Sequence, residues 1–301
     1  MVRGVMTLEY LVEKTFFPCS GEKCAGLIYR PIGVPETPGV VMAFGFGMVK
    51  EIHAEDYAPR FAEAGYTVLV FDYRRFGEST GHPRQALYPL DQIEDYRCAV
   101  NYIKTLPNVD HRKICLWGTS FSGGHVLLQL AFPQPGVRCG IAQVPNLYTY
   151  KTAISYAGSI EPYMELVEAF RDRACKRSRD IIPIVSESGP SVIRSSEAIE
   201  YYTRKASEYP RFKNYITIDS LEKILLYSPG LYAGLVSRPI FILAALRDNT
   251  TPPEFVREAA SQIRVDKKLL EVDAGHFDIY EEPLLSKIVE EEISFMKKYL
   301  G

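Results

Sequence analysis

Residues 113–131 read KICLWGTSFSGGHVLLQLA, and the fold follows from how this stretch divides. The apolar run KICLWG (113–118) has the length and composition of a strand buried on both faces, and FSGGHVLLQLA (121–131) continues in a helical pattern. Between them the chain has only Thr119 and Ser120 in which to turn. Two serines fit a small-x-Ser-x-small pattern: Ser120, between Gly118 and Ser122, and Ser122, between Ser120 and Gly124. An α/β sheet activates a serine by placing it on a very tight turn straight after a buried strand, where small neighbours let the strained backbone pass. Ser120 is the first serine reached there, so it is the nucleophile candidate. Ser122 already lies inside the helix, and with Gly123 and Gly124 it makes room for close packing.

Outward from this stretch, VVMAFG (40–45), YTVLVFDY (66–73), RCGIAQVP (138–145), PIFILAAL (239–246) and KLLEVD (268–273) are short apolar runs that mostly alternate with helix-length segments. That grammar belongs to an α/β fold with a mostly parallel central sheet and helices on both faces. Two β-rich segments, 8–17 and 24–31, come first and flank Ser20-Gly21-Glu22-Lys23, a hairpin turn. Helical period is plain in DQIEDYRCAVNYIKTLP (91–107), where Ile93, Tyr96, Val100 and Ile103 share a face. Near the end, Leu285, Val289, Ile293, Met296 and Leu300 form one stripe, with Glu281 and Glu282 before it and Lys297 and Lys298 in its last turn, as the helix dipole favours. The strand signal fades between 146 and 237, where helical stretches rich in tyrosine and charge take over. The expected organisation is a core of residues 1–145 and 238–301, with 146–237 a helical cap or lid over the C-terminal edge of the sheet, the usual ligand side of such folds.

Composition narrows the function. With 301 residues, 47% hydrophobic and 24% charged, the chain has the makeup of a soluble globular protein. A net charge of -2 with both signs interspersed offers no basic stripe for nucleic acid. No run of about 18 apolar residues marks a membrane span, and the opening residues lack the apolar core of a secretory signal. The expectation is a cytoplasmic protein with a small-molecule ester or acyl substrate, binding neither nucleic acid nor membrane. Of the six cysteines, Cys98, Cys115 and Cys139 sit in apolar runs and read as small buried hydrophobes. Cys19 and Cys24 are the one close pair, and no second pair or neighbouring histidine completes a zinc site, so no metal is expected. The even spread of charge carries no interface signature, and the oligomeric state stays open.

A serine nucleophile needs a base, and the base needs an acid to hold its tautomer. A lone histidine is ordinarily a packing or surface residue, but His276 follows the last apolar run through Ala274-Gly275, in a late loop at the C-terminal end of a strand. Asp248 stands two residues after PIFILAAL, in the turn RDNTTPPE (247–254), and is the acid candidate; a turn or N-cap role is compatible with it. The chain order Ser120, Asp248, His276 is that of one α/β class of serine enzymes. Asp278 is a weaker rival, too near His276 along the chain to reach its ring. Backbone N–H groups for an oxyanion come from Phe121, directly after the nucleophile, and from the loop after VVMAFG, where Phe46 is the choice.

With these residues in place, the sequence resembles the α/β-hydrolase superfamily over nearly its whole length. The carrying segments are GFGMVKE (45–51), FDYRRFGESTG (71–81), LWGTSFSGG (116–124), LRDNTTPP (246–253) and AGHFDIY (274–280). DYRRFGEST is similar to the Asp-x-Arg-x-x-Gly-x-Ser loop of many members. WGTSFSGGH with GHFDIY looks closest to a group near the dienelactone-hydrolase and Xaa-Pro-dipeptidyl-peptidase-like enzymes that also includes fungal polyketide transferases. The resemblance implies a serine hydrolase with Ser120, Asp248 and His276 as its triad, a helical cap and no cofactor. Phe44-Gly45 departs from the usual His-Gly and removes the imidazole that often braces the oxyanion loop. Carboxylic ester hydrolysis through an acyl-enzyme is the first functional expectation. An acyl or polyketide transferase or thioesterase with the same triad is the second, and a non-catalytic ligand-binding relative the third.

Overall fold

A computed structural model describes residues 8–176 and 180–301. Eight strands form one sheet: β1 (Tyr10–Cys19), β2 (Glu22–Pro31), β3 (Thr37–Ala43), β4 (Thr67–Phe71), β5 (Val109–Thr119), β6 (Val137–Gln143) and, much later in the chain, Ile240–Ala245 and Lys267–Val272. Two short strands, β7 (Ile181–Pro183) and β8 (Tyr215–Thr217), intervene and pair only with each other, so the last two sheet strands are β9 and β10. The order across the large sheet is β1-β2-β4-β3-β5-β6-β9-β10. The β1–β2 and β2–β4 pairs are antiparallel and all later pairs are parallel. Ser20 and Gly21, both at positive φ (47° and 81°), make the two-residue hairpin turn between β1 and β2.

The apolar runs take the places their composition demands. β4 and β9 are buried along their whole length, whereas the edge strand β10 alternates between exposed and half-buried positions. Helices α1 (Ala54–Glu63), α2 (Pro89–Ile103) and α3 (Phe121–Ala131) follow β3, β4 and β5. From β3 the chain steps through α1 to β4 on one side, and β5 then returns to the other side of β3. The strand order therefore reverses between β3 and β5, and the loops leaving their C-terminal ends part to open a crevice.

Between β6 and β9 lie α4 (Thr149–Ala157), α5 (Ile160–Cys175), the β7–β8 pair, α6 (Ser196–Glu208), α7 (Asp219–Leu225) and a 3-10 turn, Pro229–Leu235. The helical stretches are where the sequence puts them, and the small sheet is an addition to that reading. The 3-10 turn packs against α3 and against α8 (Pro253–Gln262), so the inserted segment rejoins the helical layer before β9. The final helix, α9 (Leu284–Leu300), packs on β5 and β6. Among the described residues no helix is long and apolar enough to cross a membrane.

Cysteine usage differs in one respect from the sequence expectation. Cys115 and Cys139 are buried free thiols, paired in register across β5 and β6. Cys98, however, forms a disulfide with Cys19, with Cα atoms 5.6 Å apart, and ties the edge strand β1 to α2. The partners are 79 residues apart in sequence, and only the packing of α2 onto the hairpin brings them together.

Candidate active site

Ser120 ends β5 and opens α3 with φ 56° and ψ -120°, a conformation that L side chains rarely adopt. The turn is held from several sides. Its N–H donates to the Gln143 carbonyl at 2.8 Å, and its carbonyl accepts from Gly123 and Asn146, each at 3.0 Å. Gly118 is obligatory at the turn, because a Cβ there would lie 2.4 Å from the Ser122 carbonyl oxygen. These contacts over-determine the strained residue, which is what keeps it in place.

His276 and Asp248 meet Ser120 in one line. His276 Nε2 lies 3.1 Å from Ser120 Oγ, and His276 Nδ1 lies 2.6 Å from Asp248 Oδ2. Asp248 is fixed in turn: its Oδ1 accepts the N–H groups of Thr250 and Thr251, each at 2.7 Å, and the Thr251 hydroxyl lies 2.7 Å from Oδ2. The turn reading of Asp248 therefore holds together with its contact to the imidazole. The helix behind it starts at Pro253 with Pro252 in the cap position, so Asp248 is not its N-cap. Asp278 is engaged elsewhere, accepting the Gly275 N–H at 2.8 Å. Ser120 is only 9% exposed, His276 2% and Asp248 4%, so all three side chains lie largely out of solvent.

The loop after β3 runs alongside the turn. Gly45 lies so close that a Cβ on it would stand 3.0 Å from Ser120 Cβ. Phe46, next in the chain, meets Phe121 edge to face at 5.4 Å between ring centroids. Phe121 opens α3, so its N–H is one of the four that no helical carbonyl can take. Both residues chosen for the oxyanion thus flank Ser120, one on each adjoining segment.

Several residues that hold this arrangement escaped the sequence reading. Ser122, read only as a packing residue, donates to the Phe44 carbonyl, and its Oγ lies 2.6 Å from the Tyr73 hydroxyl. Lys50 is buried and reaches Asp72 at 2.8 Å, Glu78 at 2.7 Å and Glu51 at 3.2 Å. Asp72 Oδ1 also accepts the Lys50 N–H at 2.7 Å, which pins the loop after β3 to the loop after β4. A lysine five residues past Gly45, within an otherwise apolar stretch, was the available signal. His53 is buried against Tyr280, with centroids 4.3 Å apart, and bonds Asp56 and Tyr201; burial pushes its imidazole pKa down. His125 of α3 lies between Tyr227 (2.7 Å) and Gln92 (2.9 Å), and burial lowers its pKa to about 3, so it is a neutral packing residue. The motif residues Arg74 and Ser79 are equally architectural: Arg74 pairs with Asp95 and Glu94, and Ser79 Oγ lies 2.7 Å from the Asp72 carbonyl and 2.8 Å from the Ala25 N–H.

Comparison with known proteins agrees with this architecture. The sequence model of the alpha/beta hydrolase family matches residues 40–285. The quorum-quenching protein AidA of Acinetobacter baumannii is 29% identical over 94% of this chain and 93% of its own. Polyketide transferase af380 of Aspergillus fumigatus is 27% identical, over 92% and 96% of the two chains. Thiohydrolase aneE of Aspergillus aculeatus is 28% identical, over 96% and 93%.

Proposed function

Since the chain belongs to the alpha/beta hydrolase family, we propose that it is a serine hydrolase of carboxylic esters that works through an acyl-enzyme. The observation that carries this reading is the continuous contact from Ser120 Oγ through the His276 ring to Asp248, at 3.1 and 2.6 Å. His276 Nε2 takes the hydroxyl proton as Ser120 Oγ attacks the ester carbonyl, and Asp248 steadies the imidazolium. The N–H groups of Phe46 and Phe121 receive the oxyanion, each contributing about 3 kcal/mol to the transition state. The imidazolium then protonates the departing alcohol, and water activated by the same ring releases the acid and restores Ser120.

The segment 146–237 serves in this reading as a cap over the core of 1–145 and 238–301. Its support is local contact: Ile184 packs onto Gly47, and Tyr156 of α4 donates to the Asn249 carbonyl beside Asp248. Hydrolysis of p-nitrophenyl esters of increasing acyl length tests the activity and sizes the pocket. Ser120→Ala is expected to lower turnover by roughly 10⁴-fold or more, and retained turnover in that variant overturns the assignment.

A second reading changes the acceptor or the leaving group while keeping Ser120, His276 and Asp248 in their roles. It draws on the relatives named polyketide transferase and thiohydrolase. In it the acyl-enzyme forms from a thioester, or passes its acyl group to an alcohol in place of water. Parallel assays with matched ester and thioester substrates, with and without added alcohols, separate the two readings.

A further inference from the structure

The loops that carry the site are held from outside the sheet as well as from within it, and one helix touches both the loop of Phe46 and the loop of His276. α6 presents Glu197, Tyr201 and Tyr202 inward. The Tyr202 hydroxyl donates to the Phe46 carbonyl at 3.0 Å. Glu197 Oε1 accepts the N–H of Phe277, the residue after His276, at 3.0 Å. The Tyr201 ring stacks on Phe277 with centroids 4.2 Å apart, and the Phe277 ring in turn meets His276 edge to face at 4.8 Å. Tyr201 also bonds His53, whose ring stacks on Tyr280, and the Tyr280 hydroxyl lies 2.6 Å from Thr119 Oγ1, directly before Ser120.

We infer that Tyr202 and Glu197 are positioning residues, and that α6 sets the oxyanion loop and the base loop in register with each other. This rests on the proposed roles of Ser120, His276 and Phe46. The physical reason is the geometry of the two loops. Phe46 follows Gly45 and precedes Gly47, so each of the two peptide planes it shares adjoins a glycine, the residue type with the greatest backbone freedom. The bond on its carbonyl fixes the Phe46–Gly47 plane. Because the side chain limits the φ and ψ of Phe46, that bond narrows the directions open to the neighbouring Gly45–Phe46 plane, which carries the Phe46 N–H. The Gly45 carbonyl of that plane accepts from the Met48 N–H at 3.1 Å. His276 lies on a loop after an edge strand, and the bond from Phe277 to Glu197 ties that loop to the same helix. Placing both anchors on one rigid helix converts two independent loop positions into one, which is what an oxyanion site with a tolerance of a few tenths of an ångström requires. The inserted segment then completes the reaction geometry in addition to covering it.

The test uses the full chain with p-nitrophenyl butyrate as substrate and n-butylboronic acid as a probe that forms a tetrahedral serine adduct. In Tyr202→Phe, kcat is expected to fall about tenfold with KM changed less than about twofold, and boronic acid affinity to fall by a similar factor. Glu197→Leu is expected to lower kcat in the same way, and Glu197→Gln, which keeps an acceptor for the Phe277 N–H, to restore most of it. Unchanged kcat and boronic acid affinity in Tyr202→Phe and Glu197→Leu overturn the inference, as does a loss of kcat that Glu197→Gln fails to rescue. Should Tyr202→Phe not fold, the Glu197 pair decides alone. Wild-type protein that neither turns over the ester nor binds the boronic acid defeats the underlying assignment of Ser120 instead, so the two failures are distinguishable.

Discussion

Ser122 Oγ donates a hydrogen bond to the carbonyl of Phe44, 78 residues earlier in the chain. Two serines two positions apart thus do different work: Ser120 faces the imidazole, and Ser122 ties α3 to the loop after β3. Phe44 stands in this loop, and a buried hydroxyl braces it from below. Ser122→Ala leaves the Phe44 carbonyl and the Tyr73 hydroxyl without this partner. A loss of about 1–3 kcal/mol in urea unfolding is expected, with slower acylation that still occurs on Ser120.

Backbone strain at Ser120 predicts an opposite effect on stability. At φ 56° and ψ -120°, any Cβ is unfavourable and glycine is not. Ser120→Gly is therefore expected to be more stable than Ser120→Ala by about 1 kcal/mol, with turnover in both expected to fall by the same large factor. Equal melting temperatures for the two variants would show that the turn is relaxed.

Lys50 carries the buried charge that joins the loops after β3 and β4. Removing it alone strands Asp72, which is fully buried and hydrogen-bonded to the Lys50 ammonium and backbone. Lys50→Met is expected to cost about 3–5 kcal/mol, and adding Asp72→Asn to recover part of that loss. Denaturant melts of the single and double variants measure the coupling.

Glu292 of α9 sits beneath the turn at Ser120, accepting from the Trp117 indole at 3.1 Å and the Gln143 amide at 2.6 Å. Burial raises its pKa from 4.5 to about 8. Between these two values the unfolded chain loses a proton that the native state keeps, so this group makes stability fall as pH rises toward about 8. Glu292→Gln is expected to flatten that slope and to stabilise the protein most at the alkaline end. Thermal melts across the range check it, and a parallel slope in the variant would contradict it.

Much of this was legible in the sequence because the signals are local. KICLWG before Ser120 marks a buried strand meeting a tight turn, and DQIEDYRCAVNYI shows its helical period without help from the rest of the chain. The apolar runs before Asp248 and His276 place both residues at strand ends on one edge of the sheet. What stayed hidden depends on distant pairing: Cys98 meets Cys19 only through the packing of α2 on β1, and Lys50 meets Asp72 only because β3 and β4 are neighbours. The hold of α6 on Phe46 and Phe277 is of the same kind, since nothing in EAIEYY (197–202) says which loops it will touch.

In the proposed mechanism the Ser120 hydroxyl is the nucleophile. That role is tested most directly by treating the protein with a fluorophosphonate and locating the adduct by mass spectrometry. One adduct is expected, on Ser120, absent in Ser120→Ala and still formed in Ser122→Ala. An adduct on Ser122, or none on folded wild-type protein, would contradict it.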